Sequence, residues 1–565
     1  MKKFLIGLLS GILLCILVVV IGFFALLRFS ERRPSVASQS TLFLKLDGEV
    51  PEKPPLEIPV PFLESHTPAT TADLWQMFEK AAADSRIKAL VLAPRNLQAG
   101  WGKLQEIREG LLKFGKTGKP VIACLQLPGA KEYYLATAAK RIYLSREDIL
   151  DLKGIRVEAT FFKNTLDKLG VTLEVEHAGR YKDAGDAFTR TSMTPETREV
   201  LNSVLDGVYG GLVQTIAEGR SKSPEEIRTV IDEGPFLAGQ ALSKGLVDAL
   251  AYEDEVLDEL KNHLGESEIR RISHRDYIKA TSSNGGGRVV ALLVADGMIL
   301  RGEGSEGIRS ESFIRLLRKV GAEESVRAVI LRVDSPGGDG IASDEILREV
   351  KLLSKKKPLV VSMSDVAASG GYYIAMSGDP VVAYPNTLTG SIGVIFGKPV
   401  LQGLYGKLGV DKEILKRGRF ADIDSDYRPL TSEGRLKLRE GLESMYRSFL
   451  ARVAEGRHRN VEEIEPLAEG RVWLGSQARE NGLIDETGGL DKAIQLVKKR
   501  AGIPRGETIR LVSYPQRRTI IEKLLSSPES ALTRYAIPDW IEKLHPRLLL
   551  DAGYWMISPY TISLR

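Results

Sequence analysis

The chain has 565 residues, 43% of them hydrophobic, and carries 79 Lys and Arg against 74 Asp and Glu, a formal net charge of +5. That length suits several domains, and the charge is too mild and too dispersed to argue for nucleic-acid binding. Two cysteines, Cys15 and Cys124, each in an apolar run, do not make a disulfide framework. Neither they nor the six scattered histidines offer a metal-ligand spacing, so no metal and no cofactor is expected.

In chain order the first element is FLIGLLSGILLCILVVVIGFFALL, residues 4–27, which holds no charged side chain. As a helix it spans about 36 Å, enough to cross a hydrocarbon core of about 30 Å. It lacks the short apolar core and small-residue cleavage site of a removable signal peptide, so residues 1–30 are expected to be a transmembrane anchor. Lys2 and Lys3 precede it and Arg28, Arg32 and Arg33 follow, so charge leaves its orientation open. Residues 31–70 read as a connecting segment. Its proline-rich part, PEKPPLEIPVPF (51–62), is expected to run extended over the surface.

The body then falls into two pieces, 71–280 and 289–510, divided by the linker-like TSSNGGGR (281–288). The pieces repeat each other. IKALVL (87–92) matches VRAVIL (326–331), GKPVIAC (118–124) matches KKPLVVS (356–362), and EYYLA (132–136) matches GYYIA (371–375). Further on, AGRYKDA (178–184) matches KRGRFADI (416–423), and SKGLVDAL (243–250) matches ENGLIDET (480–487). The register holds at 237 to 239 residues throughout, which marks a tandem duplication. Compact apolar runs such as RAVILRV and PLVVSMS read as strands buried on both faces. SDEILREVKLLSK (343–355) places Ile346, Leu347, Val350 and Leu353 at helical spacing. The alternation predicts an α/β fold with a mostly parallel sheet in each half. The tail, 511–565, contains LLLDAGYWMISPYTISL, which holds Asp551 and is broken by Gly553 and Pro559. It reads as a packed or interfacial segment, not a second span.

The chemistry is divided between the halves. In the first, Lys182 of GRYK stands where the second has Ala421. In the second, Ser369 of SDVAASGGYYIA stands where the first has Ala130. A serine hydroxyl needs a base to take its proton, and a lysine whose burial keeps it neutral can serve. Tyr181, Ala184 and Phe188 are placed to shelter the lysine stem, whereas Asp183 and Asp186 would hold it charged if they turned inward. An oxyanion needs amide donors. Gly337 and Gly338 of VDSPGGDG, and Gly370 directly after the serine, are candidates; the first half, with LAPRNLQAG (92–100), lacks the paired glycines. Ser391, between glycines in NTLTGSIGV, reads either as a hydroxyl that orients the lysine or as a turn serine. Ala367 stands where a G-x-S-x-G elbow needs its first glycine, and Ser85 and Ser354, each with lysine at +3, lack the partner motifs of S-x-x-K enzymes.

Taken together, DSPGG, SDVAASGGYYIA, TGSIGV and an upstream GRYK resemble the long, duplicated form of the signal peptide peptidase A family, over nearly the whole soluble chain. These are bacterial membrane-anchored serine proteases of the ClpP/crotonase-like fold. The resemblance implies Ser369 as nucleophile, Lys182 as its base, Ser391 as the lysine-orienting serine, and an oxyanion donor among the DSPGG glycines, foremost Gly338. It also implies a homotetrameric bowl at the bacterial inner membrane, with the body on the periplasmic side and cleaved signal peptides as substrates. Where that family often has a small residue after the lysine, this chain has Asp183. Two other function classes are a crotonase-like acyl-CoA enzyme and an inactive membrane scaffold. The anchor argues against the first, and retention of both Ser369 and Lys182 against the second.

Overall fold

The computed structural model describes residues 34–54, 68–281, 286–516 and 553–557, together with scattered positions between 7 and 18. Most of the apolar run 4–27, residues 55–62 of the proline-rich stretch, 282–285 of the linker and most of the tail lie outside them. Among the described residues no helix is long and apolar enough to cross a membrane.

The β-branched runs form strands and the amphipathic stretches form helices in both halves. The first half contains β1 (Ser40–Asp47), α1 (Thr71–Ala83), β2 (Ile87–Arg95), α2 (Trp101–Gly115), β3 (Val121–Leu125), α3 (Ala130–Ala136), β4 (Arg141–Leu144), β5 (Thr172–Ala178), α4 (Pro195–Arg220), β6 (Ala249–Leu250) and β7 (Arg270–Ser273). The second contains β8 (Arg288–Asp296), β9 (Ile299–Leu300), β10 (Ile308–Arg309), β11 (Val326–Ser335), β12 (Gly337–Asp339), α5 (Gly340–Ser354), β13 (Leu359–Ala368), α6 (Gly370–Ile374), β14 (Leu388–Gly390), β15 (Val394–Val400), α7 (Ser432–Arg457), β16 (Val472–Leu474), β17 (Ile509–Tyr514) and, from the tail, β18 (Gly553–Ile557). One sheet runs β6-β4-β3-β2-β1-β7, and the second follows the path β16-β14-β13-β11-β8-β17. Their central strands are parallel and buried on both faces, as near-continuous apolar runs require.

The repeat seen in the sequence extends to details of packing. Helices α4 and α7 are both 26 residues long; each follows a threonine cap, Thr194 or Thr431, and each ends on a left-handed residue, Ser221 or His458. The Tyr133 hydroxyl donates to the Leu246 carbonyl at 2.6 Å, and its counterpart Tyr372 donates to Leu483 at 2.7 Å.

Two of the contacts between the halves stand out. The first is a third sheet, β10-β9-β12-β18-β15-β5, in which first-half β5 lies antiparallel to second-half β15 from Val394–Ala178 to Val400–Thr172. The second is a buried ionic cluster. Arg332 on β11, 1% exposed, meets Glu52 at 2.9 Å and Glu106 of α2 at 2.5 Å, and donates to the Ser362 and Ser364 hydroxyls. Beside it Lys103 pairs with Asp334 at 2.7 Å, and the Asp365 carboxylate accepts from the Gly100 and Lys103 amides at the start of α2. Burial alone would raise the Glu52 pKa, but Arg332 and Lys103 hold it down at about 2.

Two expectations need correction. The first sheet starts before residue 71, because β1 lies within the segment read as a connection and pairs in parallel with β2 and β7. The proline-rich stretch is not a surface run at its start: Glu52 is buried because Arg332 needs a carboxylate there. The glycines of VDSPGGDG form a short strand, with β9 and β18 paired on either side of them. Of the tail, residues 553–557 pack as β18.

Removing one member of a buried, paired cluster leaves uncompensated charge and costs about 3–5 kcal/mol. Arg332→Leu is expected to lower the urea-unfolding free energy by that order. Lys163→Ala, which breaks an exposed pair with Asp167, is expected to change it by less than about 1 kcal/mol. Equal effects would refute the cluster as a stabilising contact between the halves.

Candidate active site

Strand β13, buried along most of its length, delivers Ser369 at the turn into α6. The serine adopts φ 54 and ψ −117, a conformation that side chains other than glycine seldom take. Such backbone strain costs about 1–3 kcal/mol and persists only where its surroundings enforce it. Here they do: the Ser369 amide donates to the Gly390 carbonyl at 2.7 Å, and the Ser369 carbonyl accepts from Tyr373 at 2.8 Å. Gly371 lies so close to β11 that a Cβ there would meet the Ser335 carbonyl oxygen at 2.5 Å. No such strain occurs at Ala130, the counterpart in the first half.

Lys182 arrives from the other half. After β5 the chain turns at Gly179 (φ +112) against the backbone of Glu469, and the Tyr181 amide donates to the Glu469 carbonyl at 2.7 Å. Gly470 lies against the Lys182 backbone; a Cβ on it would meet the Lys182 nitrogen at 2.6 Å. The lysine side chain is thereby threaded inward and is 0% exposed. Its Nζ lies 2.7 Å from Ser369 Oγ, 2.8 Å from the Ser391 carbonyl oxygen and 3.0 Å from Ser391 Oγ. Ser391 is itself held at a positive φ of 53, with its amide donating to the Arg471 carbonyl at 2.7 Å. All three side chains belong to one chain and are fully buried.

Burial pushes the Lys182 pKa well below its ordinary 10.5, and the charge of Asp183 opposes this without cancelling it. The Asp183 carboxylate accepts from the Thr197 hydroxyl in the first turn of α4. Asp186 is pushed up to about 6, by burial first and by Asp183 second. The amine therefore has a hydroxyl, a second hydroxyl and a carbonyl around it, none of which carries a formal charge.

The glycines stand beside the serine. A Cβ on Gly337 would lie 2.7 Å from the Gly370 nitrogen, and one on Gly370 would lie 3.1 Å from the Gly338 nitrogen, so the amides of Gly338 and Gly370 are neighbours. Gly337 donates its own amide to Ser335 Oγ at 3.2 Å. Among the described residues no group of three or more His, Cys, Asp or Glu is arranged to hold a metal.

The first-half counterpart is filled. Glu132, where the second half has Gly371, turns its carboxylate onto the backbone, accepting from Leu97 at 2.7 Å and Gly129 at 3.0 Å. The sequence alignment of EYYLA with GYYIA contained that difference, but not its effect. Gly390, Glu469, Gly470 and Thr197 also escaped sequence reading, because their roles are backbone contacts or lie on distant segments.

A family model described as peptidase family S49 matches this chain twice, at residues 113–266 and 351–504. The chain is 36% identical over 472 residues to a protein named "Serine protease SPPA, chloroplastic" from Arabidopsis thaliana, covering 81% of this chain and 70% of that one. It is 32% identical over 496 residues to "Protease 4" of Salmonella typhi, covering 85% and 79%. Over 197 residues it is 36% identical to a "Putative signal peptide peptidase SppA" of Enterococcus faecium, covering 35% and 57%.

A buried amine with a lowered pKa costs the folded chain stability wherever the unfolded chain would hold the proton, so the penalty is greatest at low pH and disappears above about 10.5. Lys182→Met is expected to melt at a higher temperature than the wild type near neutral pH, with the difference shrinking as pH rises toward 10.5. A melting temperature several degrees below the wild type would show that the amine's hydrogen bonds outweigh its burial.

Proposed function

The chain belongs to peptidase family S49 and is a serine peptidase; from that premise we propose that it cleaves peptides with Ser369 as nucleophile and Lys182 as base. The 2.7 Å approach of Lys182 Nζ to Ser369 Oγ, in a pocket that favours the neutral amine, is the observation that carries this reading. Ser369 gives its proton to Lys182 as Oγ attacks the scissile carbonyl carbon. The negative charge that develops on the carbonyl oxygen is met by the Gly338 and Gly370 amides. The Lys182 ammonium, held by the Ser391 hydroxyl and carbonyl, then protonates the leaving amine. Water, activated by the same lysine, releases the acyl group from Ser369.

The wider setting is part of the proposal. Each half is read as a ClpP/crotonase-like domain, supported by the parallel sheets and the serine at a strand-to-helix turn. Residues 4–27 are read as an anchor in a bacterial inner membrane, with the body on the periplasmic side, supported by their uncharged length and basic flanks. The family resemblance supports a homotetramer, and the relative named as a signal peptide peptidase supports cleaved signal peptides as substrates.

Peptide hydrolysis by the detergent-solubilised chain tests this. Ser369→Ala is expected to reduce turnover of an apolar, signal-peptide-like substrate to background, and Lys182→Ala by about 10²–10⁴-fold. Lys163→Ala, on the exposed surface, is expected to match the wild type. Near-normal activity in Lys182→Ala would place the base elsewhere.

A further inference from the structure

Lys182 belongs to the first half, yet the residue before it is gripped by a side chain of the second. The Tyr181 ring faces Arg471, which directly precedes β16; the guanidinium carbon lies 5.2 Å from the ring centroid. The same guanidinium lies 4.6 Å from the Trp473 ring, and the Trp473 indole is fixed by donating Nε1 to the Leu467 carbonyl at 2.8 Å. Both distances are within the reach of a cation over an aromatic face. From α4, the Glu199 carboxylate accepts from Arg471, and from the Tyr181 hydroxyl at 3.3 Å. The Arg471 main chain meets the other side of the amine: its carbonyl accepts from the Ser391 amide at 2.7 Å. One residue thus touches the residue that precedes the lysine and the serine that holds its Nζ.

The duplication supplies an internal comparison. With VWLGSQ (472–477) aligned on PFLAGQ (235–240), Arg471 falls on Gly234. A Cβ on Gly234 would meet the Leu152 carbonyl oxygen at 1.9 Å, so the first half has no room for an arginine there. Tyr181 falls on Phe420, and Glu199 falls on Leu436, which is 61% exposed. The set of ring, guanidinium and carboxylate therefore exists once, beside the segment that carries the lysine. The other charged groups around that segment have partners of their own. Arg180 pairs with Glu196 at 3.3 Å, Arg190 with Asp186 at 3.2 Å, Asp183 accepts from Thr197, and His177 Nδ1 lies 3.0 Å from the Gly179 carbonyl oxygen.

We propose that Arg471 is a positioning residue for the reaction: its guanidinium, seated against Tyr181 and Trp473 and paired with Glu199, holds the lysine segment on the second half so that Lys182 Nζ stays beside Ser369 Oγ. This rests on the Ser369/Lys182 reading above. Arg471 acts through Tyr181 and Ser391 and takes no part in the proton transfer itself. A planar guanidinium suits the task because it can lie on two rings and still pair with a carboxylate, which a lysine ammonium cannot do in the same geometry. Without it the segment gains freedom. The amine then spends less time in line with the hydroxyl, and water that reaches it favours its charged form.

The test is steady-state hydrolysis of an apolar peptide by the full detergent-solubilised chain, followed across pH. Arg471→Met is expected to lower kcat by about tenfold or more with KM within about twofold of the wild type. The midpoint of its kcat–pH profile is expected to move up toward 10.5. Tyr181→Leu is expected to reproduce both changes, and serves in its place should Arg471→Met fail to fold. Tyr181→Phe, which keeps the ring, is expected to restore most of kcat and to bring the midpoint back. A folded Arg471→Met with the kcat and midpoint of the wild type overturns the inference. So does a loss of kcat with an unmoved midpoint, which would mark Arg471 as a general structural support. Lys182→Ala separates the two claims. If it is inactive, a silent Arg471→Met counts against Arg471 alone; if it keeps near-normal activity, the active-site reading itself fails.

Discussion

A completely buried lysine amine whose three nearest partners are a carbonyl and two hydroxyls is the constraint on which the rest of the structure depends. In water such an amine is protonated at neutral pH; here burial lowers its pKa well below 10.5 and so makes a base available. Keeping it there requires that no carboxylate reach it. Asp183, its sequence neighbour, is turned to Thr197 at the first turn of α4. It also requires that water be excluded by the opposite half of the chain. The β5–β15 pairing, the close pass of Gly470 over the Lys182 backbone and the buried cluster around Arg332 all serve that closure.

Duplication makes such a site possible because the two copies need not stay alike. The first-half segment 178–184 enters the second half and ends in the lysine. Its second-half counterpart, around Ala421, remains on the surface. The first half gave up the serine and the paired glycines, and Glu132 satisfies the amides of Gly129 and Leu97 that were left. Each half is thus the scaffold for one group, and the relation between the halves, not either half alone, sets the distance between Lys182 and Ser369.

Much of this was legible in the sequence, and what was not has physical reasons. The strands around 87–92, 118–124, 326–331 and 356–362 and α5 stood out because their apolar periods are local, and the repeat register paired Ser369 with Ala130 and Lys182 with Ala421. Glu52 was misjudged because prolines around it signal an extended surface run, whereas its partner Arg332 is 280 residues away. The strand at Gly337–Asp339 was hidden because glycines argue for a turn; its pairing is imposed by β9 and by the tail. In the same way Gly553 and Pro559 masked a strand whose two partners lie at residues 337–339 and 395–397. Interactions set by distant segments leave no local period to read.

The most direct measurement of the central claim is the pH dependence of Ser369 modification by a fluorophosphonate, followed by mass spectrometry of the intact chain. It reports the nucleophile and its base without any assumption about substrate. The account predicts one adduct per chain, on Ser369, formed at a rate that climbs with the loss of a single proton whose midpoint lies well below 10.5. The same dependence is expected to vanish in Lys182→Ala. Labelling that climbs only near 10.5, or that is unchanged in Lys182→Ala, would contradict it.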